Sequence, residues 1–277
     1  MVKTKLTPFV KMEACGNDCL LFDTTKTKVL NPNRVAKKLC DRRFGIGADQ
    51  MLLLSKSRKA DFKMEIYNSD GSVAEMCGNG IRCLARYVRD NSYTTKKVFT
   101  IETLAGIRQV KLNAKTVEVD MGEPQLKGKE IPVNLSGRII NRPLKIDTKD
   151  FRITCLSMGN PHCVIFQENL DHFAVEKFGP LLEHYHIFPK RVNVSFVNVV
   201  SLSELKLRVW ERGAGETLAC GTAACASLVA SVLNGFIDRN AKIDMPGGKV
   251  EVEWNKETNH VWLTGPAELV CEGQVAL

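Results

Sequence analysis

The sequence has no run approaching the roughly 18 apolar residues of a membrane-spanning helix, and none is expected. Its first stretch, MVKTKLTPFVKM, holds no apolar core of the kind a secretory leader carries. It has no CxxC pair and no Cys/His spacing typical of zinc. Cys15/Cys19, Cys77/Cys83 and Cys220/Cys225 are spaced 4, 6 and 5 apart, so no metal site is expected. It also lacks clustered basic charge. The net +8 comes from 39 Lys and Arg against 31 Asp and Glu, and the densest basic stretch, residues 34–43, is broken by apolar residues and an Asp. With only Phe44 as a nearby ring, this is a solvated surface, and no nucleic-acid partner is expected. The chain has 277 residues, 44% of them hydrophobic and 25% charged, a composition for two globular domains of ordinary size. A cytoplasmic protein with ten free thiols is expected.

What is present is organised around two stretches, residues 68–83 (NSDGSVAEMCGNGIRC) and residues 211–225 (ERGAGETLACGTAAC). Each is a polar, glycine-punctuated approach to a Cys-Gly pair with a helix directly behind it. The spacing therefore puts Cys77 and Cys220 beside the free N–H groups of a helix start. Such a place is expected to lower a thiol pKa into roughly the 3.5–7.5 range and to offer a carboxylate site.

Cys220 follows Cys77 by 143 positions, and other residues repeat at that offset without a gap. Asn17 maps to Asn160, Gln50 to Asn193, Asn68 to Glu211 and Asn79 to Thr222; Gly16 maps to Gly159 and Gly78 to Gly221. The pattern reads as a duplicated domain with two thiols facing one substrate.

Between these points the first half reads as mostly β with one prominent helix. Alternation marks strands over residues 61–67, 98–102, 107–112 and 116–121. Ile81, Leu84, Ala85 and Val88 are spaced as the apolar face of a helix. Residues 122–149, punctuated by Pro, Gly and Lys, form the expected junction between domains. In the second half, strands are expected at 192–200 and 205–210. Residues 217–237 hold no charge, so a helix over 223–233 should be buried within its domain.

A carboxylate caught between two helix starts, with a thiol on either side, suits two-base racemisation or epimerisation: one thiolate removes the α-proton and one thiol returns a proton to the opposite face. Neither motif holds a Schiff-base lysine, so no cofactor is expected. Asn17, Gln50, Asn68, Asn160, Asn193, Glu211 and Arg212 offer groups for an ammonium and a second carboxylate, with Arg212 able to grip a carboxylate through two N–H groups. His162, after the turn at Asn160, is a supporting candidate. Two other readings remain open at this level. One is a cofactor-independent racemase for histidine or proline; the other is a thiol redox sensor or metal-binding protein.

The strings GND (16–18), GIGADQ (45–50), YNSDGSVAEMCGNGIR (67–82), MGNPH (158–162), ERGAGETLACGTAACA (211–226), PGG (246–248) and TGPAE (264–268) resemble diaminopimelate epimerase. The resemblance implies interconversion of LL- and meso-diaminopimelate, on the route to lysine and peptidoglycan. It implies Cys77 and Cys220 as the acid/base pair, and Gly78, Asn79, Gly221 and Thr222 as the carboxylate cradle. It further implies an α+β fold of two similar, pseudo-two-fold-related domains, each a mostly antiparallel, β-barrel-like sheet around a central helix. The domains would be residues 1–121 with a returning tail at about 267–277, and residues 122–266. Homodimers occur in that family. Cys271 stands where its members often carry a Tyr at the dimer contact, and Cys19 where an aromatic usually follows GND.

Overall fold

A computed structural model describes residues 6–277. They form two compact units, one reaching Val119 and including Gly265–Leu277, the other Asp120–Thr264.

The first unit runs β1 (Leu6–Ala14), β2 (Asn17–Asp23), α1 (Pro32–Leu39), β3 (Gln50–Ser55), β4 (Phe62–Asn68), β5 (Val73–Ala74), α2 (Gly78–Asp90), β6 (Val98–Thr103), β7 (Gly106–Leu112) and β8 (Thr116–Asp120). The second runs β9 (Ile139–Ile146), β10 (Lys149–Ser157), β11 (Pro161–Phe166), α3 (Val175–Glu183), β12 (Asn193–Ser201), β13 (Glu204–Glu211), β14 (Gly215–Thr217), α4 (Gly221–Leu233), β15 (Asn240–Met245), β16 (Gly248–Trp254) and β17 (Val261–Pro266). The last strand, β18 (Glu268–Ala276), pairs antiparallel with β1, Leu6 opposite Ala276.

β2 and β3 pair in parallel and are buried on both faces, which is why they read as unbroken apolar runs, CLLF and MLLL. Leu20, Phe22, Met51 and Leu53 join Ala36 and Leu39 of α1 in one cluster. The alternate residues turn to α2, where Leu52 lies against Gly80. α2 itself buries Ile81, Leu84, Ala85 and Val88 completely. The second unit repeats this arrangement. Val194 and Phe196 of β12 pack with Val175, Phe178 and Leu182 of α3, while α4 packs against β10, β11, β12 and β13. Between Gly221 and Ser231 every residue of α4 is buried, as its lack of charge requires.

The strand register repeats along with the helices. Cys19 stands opposite Gln50 as His162 does opposite Asn193. Met51 stands opposite Tyr67 as Val194 does opposite Trp210, and Tyr67 opposite Val73 as Trp210 does opposite Glu216. Each of these pairs is related to its counterpart by the 143-residue offset, and so are the 13-residue helices α2 and α4. Beyond the helices the repeat slips by one residue: Phe62 pairs with Ile101, but Leu205 with Ile243.

Several strands had no counterpart in the sequence reading, among them the short β5 and β14 before the two thiols. β9 lies inside the stretch read as a junction, and β15 follows the helix stop at Asn234-Gly235.

Candidate active site

In the first unit, the chain leaves β5 and turns into α2 with Cys77 as N-cap, its backbone extended at φ −140° and ψ 114°. The Cys77 Sγ accepts the Gly80 N–H at 3.3 Å, taking the part a serine or aspartate oxygen plays at other helix starts. On its other side Cys77 Sγ is 3.8 Å from the Asn17 Oδ1. Asn17 cannot turn its amide freely, because its Nδ2 donates to Asp49 Oδ2 at 3.0 Å. Asp49 also accepts from the Asp18 N–H and from Arg42, and Arg42 grips Asp18 through both terminal nitrogens. Lys11 completes this group, 3.0 Å from Asp18. Gln50 and Asn68, opposite each other on β3 and β4, are joined by a bond from Gln50 Nε2 to Asn68 Oδ1 at 3.2 Å. The Gln50 Oε1 is buried with no partner among the described residues, so an acceptor stands ready for a donor. Gly78 and Asn79 are buried in the first turn of α2.

In the second unit Cys220 caps α4 with nearly the same backbone, φ −137° and ψ 115°. Its Sγ lies 3.4 Å from the Thr222 Oγ1. Asn160 donates to that same hydroxyl at 3.2 Å, and the Asn160 Oδ1 faces His162 Nε2 at 2.9 Å. Asn193, buried, donates to the Pro161 carbonyl and accepts the Arg212 N–H at 2.9 Å. Glu211 accepts from the Thr217 hydroxyl at 2.6 Å. The Arg212 side chain is exposed and donates to the Lys190 carbonyl. Gly221 and Thr222 are buried in the first turn of α4. Asn17 thus lies on Cys77, and Thr222, with Asn160 behind it, on Cys220, whereas Gln50 with Asn68 and Asn193 with Arg212 bond each other.

The expected lowering of a thiol pKa at the helix start fails at Cys220. Burial pushes this thiol well above its usual range, and the Glu211 carboxylate pushes it further. The Thr222 hydroxyl and the Ala223 N–H pull against them without prevailing. Loss of solvent outweighs the helix end here. Burial likewise drives His162 down to about 3, with the Arg212 charge adding to the effect. His162 is therefore a neutral ring at working pH.

Three groups beside the site were not among the sequence candidates. Asp49 adjoins Gln50 in the GIGADQ string, but its hold on Asn17 spans 32 residues. Arg82 closes the CGNGIR string and is completely buried. Glu183, also buried, accepts from the Gly213 N–H at 3.0 Å and the Trp210 Nε1 at 2.7 Å, and so holds the turn that carries Glu211 and Arg212. Nothing in its local sequence, LLEHY, marked it.

The family model for diaminopimelate epimerase matches residues 9–127 and 154–270. A diaminopimelate epimerase of Acetivibrio thermocellus is 54% identical over 275 residues, covering 97% of this chain and 98% of that protein. One from Methanococcus maripaludis (strain S2) is 49% identical, covering 96% and 99%. Among solved structures, a hydroxyproline epimerase from Agrobacterium vitis superposes with a TM-score of 0.74 at 14% identity, covering 100% of this chain and 94% of that one. A phenazine biosynthesis protein of the PhzF family from Bacillus anthracis superposes at 0.71 and 18% identity, covering 99% and 100%. The two structures share the mixed, sheet-dominated fold. The sequence matches span nearly the whole chain, and the chain belongs to the diaminopimelate epimerase family.

Proposed function

We propose that the chain epimerises diaminopimelate between its LL and meso forms, using Cys77 and Cys220 as the two proton carriers, in the synthesis of lysine. The observation that carries this reading is the pair of thiols capping, with matching backbone, two helices whose first turns are buried, inside a family whose named members are diaminopimelate epimerases. In the reaction one thiolate takes the proton from the α-carbon and becomes a thiol. The electron pair left on carbon spreads into the neighbouring carboxylate. The other thiol then delivers its proton to the opposite face and becomes a thiolate, so the centre inverts and no atom is gained or lost. The N–H groups at the starts of α2 and α4, with Gly78, Asn79, Gly221 and Thr222, would hold the carboxylate as its charge grows. Asn17, Gln50, Asn68, Asn160, Asn193, Glu211 and Arg212 would read the ammonium and the far amino-acid end. The partnerless Gln50 Oε1 suits an ammonium donor.

The family and domain pattern also support two functional domains, residues 1–121 with the tail at 267–277 and residues 122–266, acting in the cytoplasm. The exposed Leu269 and Val270 on β18 suit a homodimer contact.

The test is proton exchange followed by NMR: reduced protein with LL-diaminopimelate in D2O, alongside histidine and proline. Deuterium at the α-carbon of diaminopimelate alone, with meso product absent in Cys77→Ala and in Cys220→Ala, is the expected result. Exchange confined to histidine or proline would replace the substrate, and no exchange on any of the three would sink the enzymatic reading.

A further inference from the structure

The largest completely buried side chain among the described residues is a charged one, Arg82. Its guanidinium donates from Nη1 to the Gly78 carbonyl at 3.0 Å, from Nη2 to Asn79 Oδ1 at 2.9 Å and to Cys15 Sγ at 3.8 Å, and from Nε to the Pro266 carbonyl at 3.1 Å. None of these four partners is a carboxylate. A buried cation is ordinarily kept because an anion balances it. Here the hydrogen bonds of the positive charge instead go to neutral groups, reaching back along α2 to Gly78 and Asn79, the two residues next to Cys77.

The second unit has nothing equivalent. The position matching Arg82 at the 143-residue offset is Cys225, and no residue of α4 carries charge. The charge that acts on Cys220 is instead negative, from Glu211. The two thiols share a backbone geometry, but the helix behind Cys77 carries a buried cation and the helix behind Cys220 carries no charge. They differ in solvent as well: Cys220 is buried and Cys77 half-buried.

We propose that Arg82 is a positioning residue whose permanent charge, fixed behind the start of α2, makes Cys77 the more acidic of the two thiols and hence the resting base. The inference rests on the two-thiol reaction proposed above. It assigns the proton abstraction of a turnover begun from the resting enzyme to Cys77; the reverse turnover begins from the Cys220 thiolate that this one leaves. A guanidinium stays charged throughout the working pH range, so the bias does not fade as solution pH changes.

The other groups around Cys77 leave that bias standing. Asp18 and Asp49 are balanced by Lys11 and Arg42 within their own network. Cys15 and Cys19 are neutral thiols, raised by burial and, at Cys19, first by its bond with Cys83. Glu13 bonds the Gly16 N–H and its charge acts on Cys15, where the Arg82 charge opposes it. The Asn17 Oδ1 favours the protonated form of Cys77, but it is a dipole at 3.8 Å set against a full charge together with the Gly80 N–H.

The test is alkylation of the reduced full-length protein by iodoacetamide across a pH series, reading Cys77 and Cys220 separately by peptide mass spectrometry. The Cys77 midpoint should lie below that of Cys220. Arg82→Met should raise the Cys77 midpoint by about one pH unit or more and leave Cys220 where it was. Arg82→Lys, which keeps the charge, should hold most of the wild-type value. The acid limb of kcat/KM should shift with the Cys77 midpoint. An unmoved Cys77 midpoint in Arg82→Met would make Arg82 a scaffold only and overturn the assignment. Should that variant not fold, the wild-type order still decides, because a Cys220 midpoint below that of Cys77 overturns it equally. Alkylation needs no substrate. A chain that epimerises with the order reversed refutes Arg82 alone, whereas one with the expected order and no α-carbon exchange refutes the reaction.

Discussion

His162 Nε2 and Asn160 Oδ1 lie 2.9 Å apart, and that contact fixes the state of both side chains. The ring must carry its proton on Nε2 to serve the amide oxygen, leaving Nδ1 buried without a partner among the described residues. The amide is thereby oriented with its nitrogen toward Thr222, whose hydroxyl is then free to donate to Cys220.

The low His162 value, about 3, makes the fold sensitive to acid. As pH falls below about 6.5 the unfolded ring takes a proton that the folded ring refuses. The stabilisation is whole above that pH and drains away as pH drops toward 3. Between pH 6.5 and 5 the loss should be about 2 kcal/mol. Urea unfolding at both pH values should show it in the wild type and show that component missing in His162→Gln. Equal falls in the two proteins would contradict it.

The thiols should sort by burial. Cys271 is exposed and Cys77 half-buried, while the other eight are buried. Burial drives Cys40 up to about 12, and mutual bonding with Cys163 raises Cys155 well above its usual range. In native protein DTNB should modify Cys271 first and Cys77 second. All ten should react in guanidinium chloride. Fast native reaction at Cys155 or Cys163 would be incompatible with this packing.

Glu183→Ala should loosen the turn holding Glu211 and Arg212. It leaves the Trp210 indole and the Gly213 N–H without their acceptor, at a cost of about 2–3 kcal/mol. The urea midpoint should fall and the tryptophan emission change. KM for diaminopimelate should rise more than kcat falls.

Gly179 of α3 has no room for a methyl group: a Cβ there would lie 2.5 Å from the Cγ and Cδ2 of Trp210. Alanine usually favours a helix over glycine, but here the clash should prevail. Gly179→Ala should destabilise by about 1–3 kcal/mol, read from thermal or urea unfolding, and a stabilised variant would refute the packing.

Much of this arrangement could be read from residue order, because its signals are local. The spacing of Ile81, Leu84, Ala85 and Val88 marks one face of α2, and the uncharged stretch around Ala223 marks a helix without a wet side. Strand β9 escaped because its polar centre, NRPLK, with Pro143, neither alternates cleanly nor runs apolar. The errors at the site share a different cause. A thiol at a helix start is visible in sequence; the solvent it loses is not, and at Cys220 that loss decides the sign of the shift. Asp49 on Asn17, Arg82 on the Pro266 carbonyl and Glu183 on Trp210 join positions 32, 184 and 27 residues apart. Such pairings become apparent only once the strands are in register.

The one-residue slip beyond α2 and α4 marks where the two halves stop being interchangeable. From Asn17 to the end of α2, and from Asn160 to the end of α4, strand partners and helix starts superpose by simple counting. Each of these stretches is a cassette, and a chimaera built by swapping one for the other would keep every ladder within it. Its mismatches would fall at the two seams, with strands β6 and β15 at one end and with β1 and β10 at the other, where Met12 stands opposite Cys19 but Leu156 opposite His162, which makes those four strands the place to graft, lengthen or redesign this scaffold without moving a thiol.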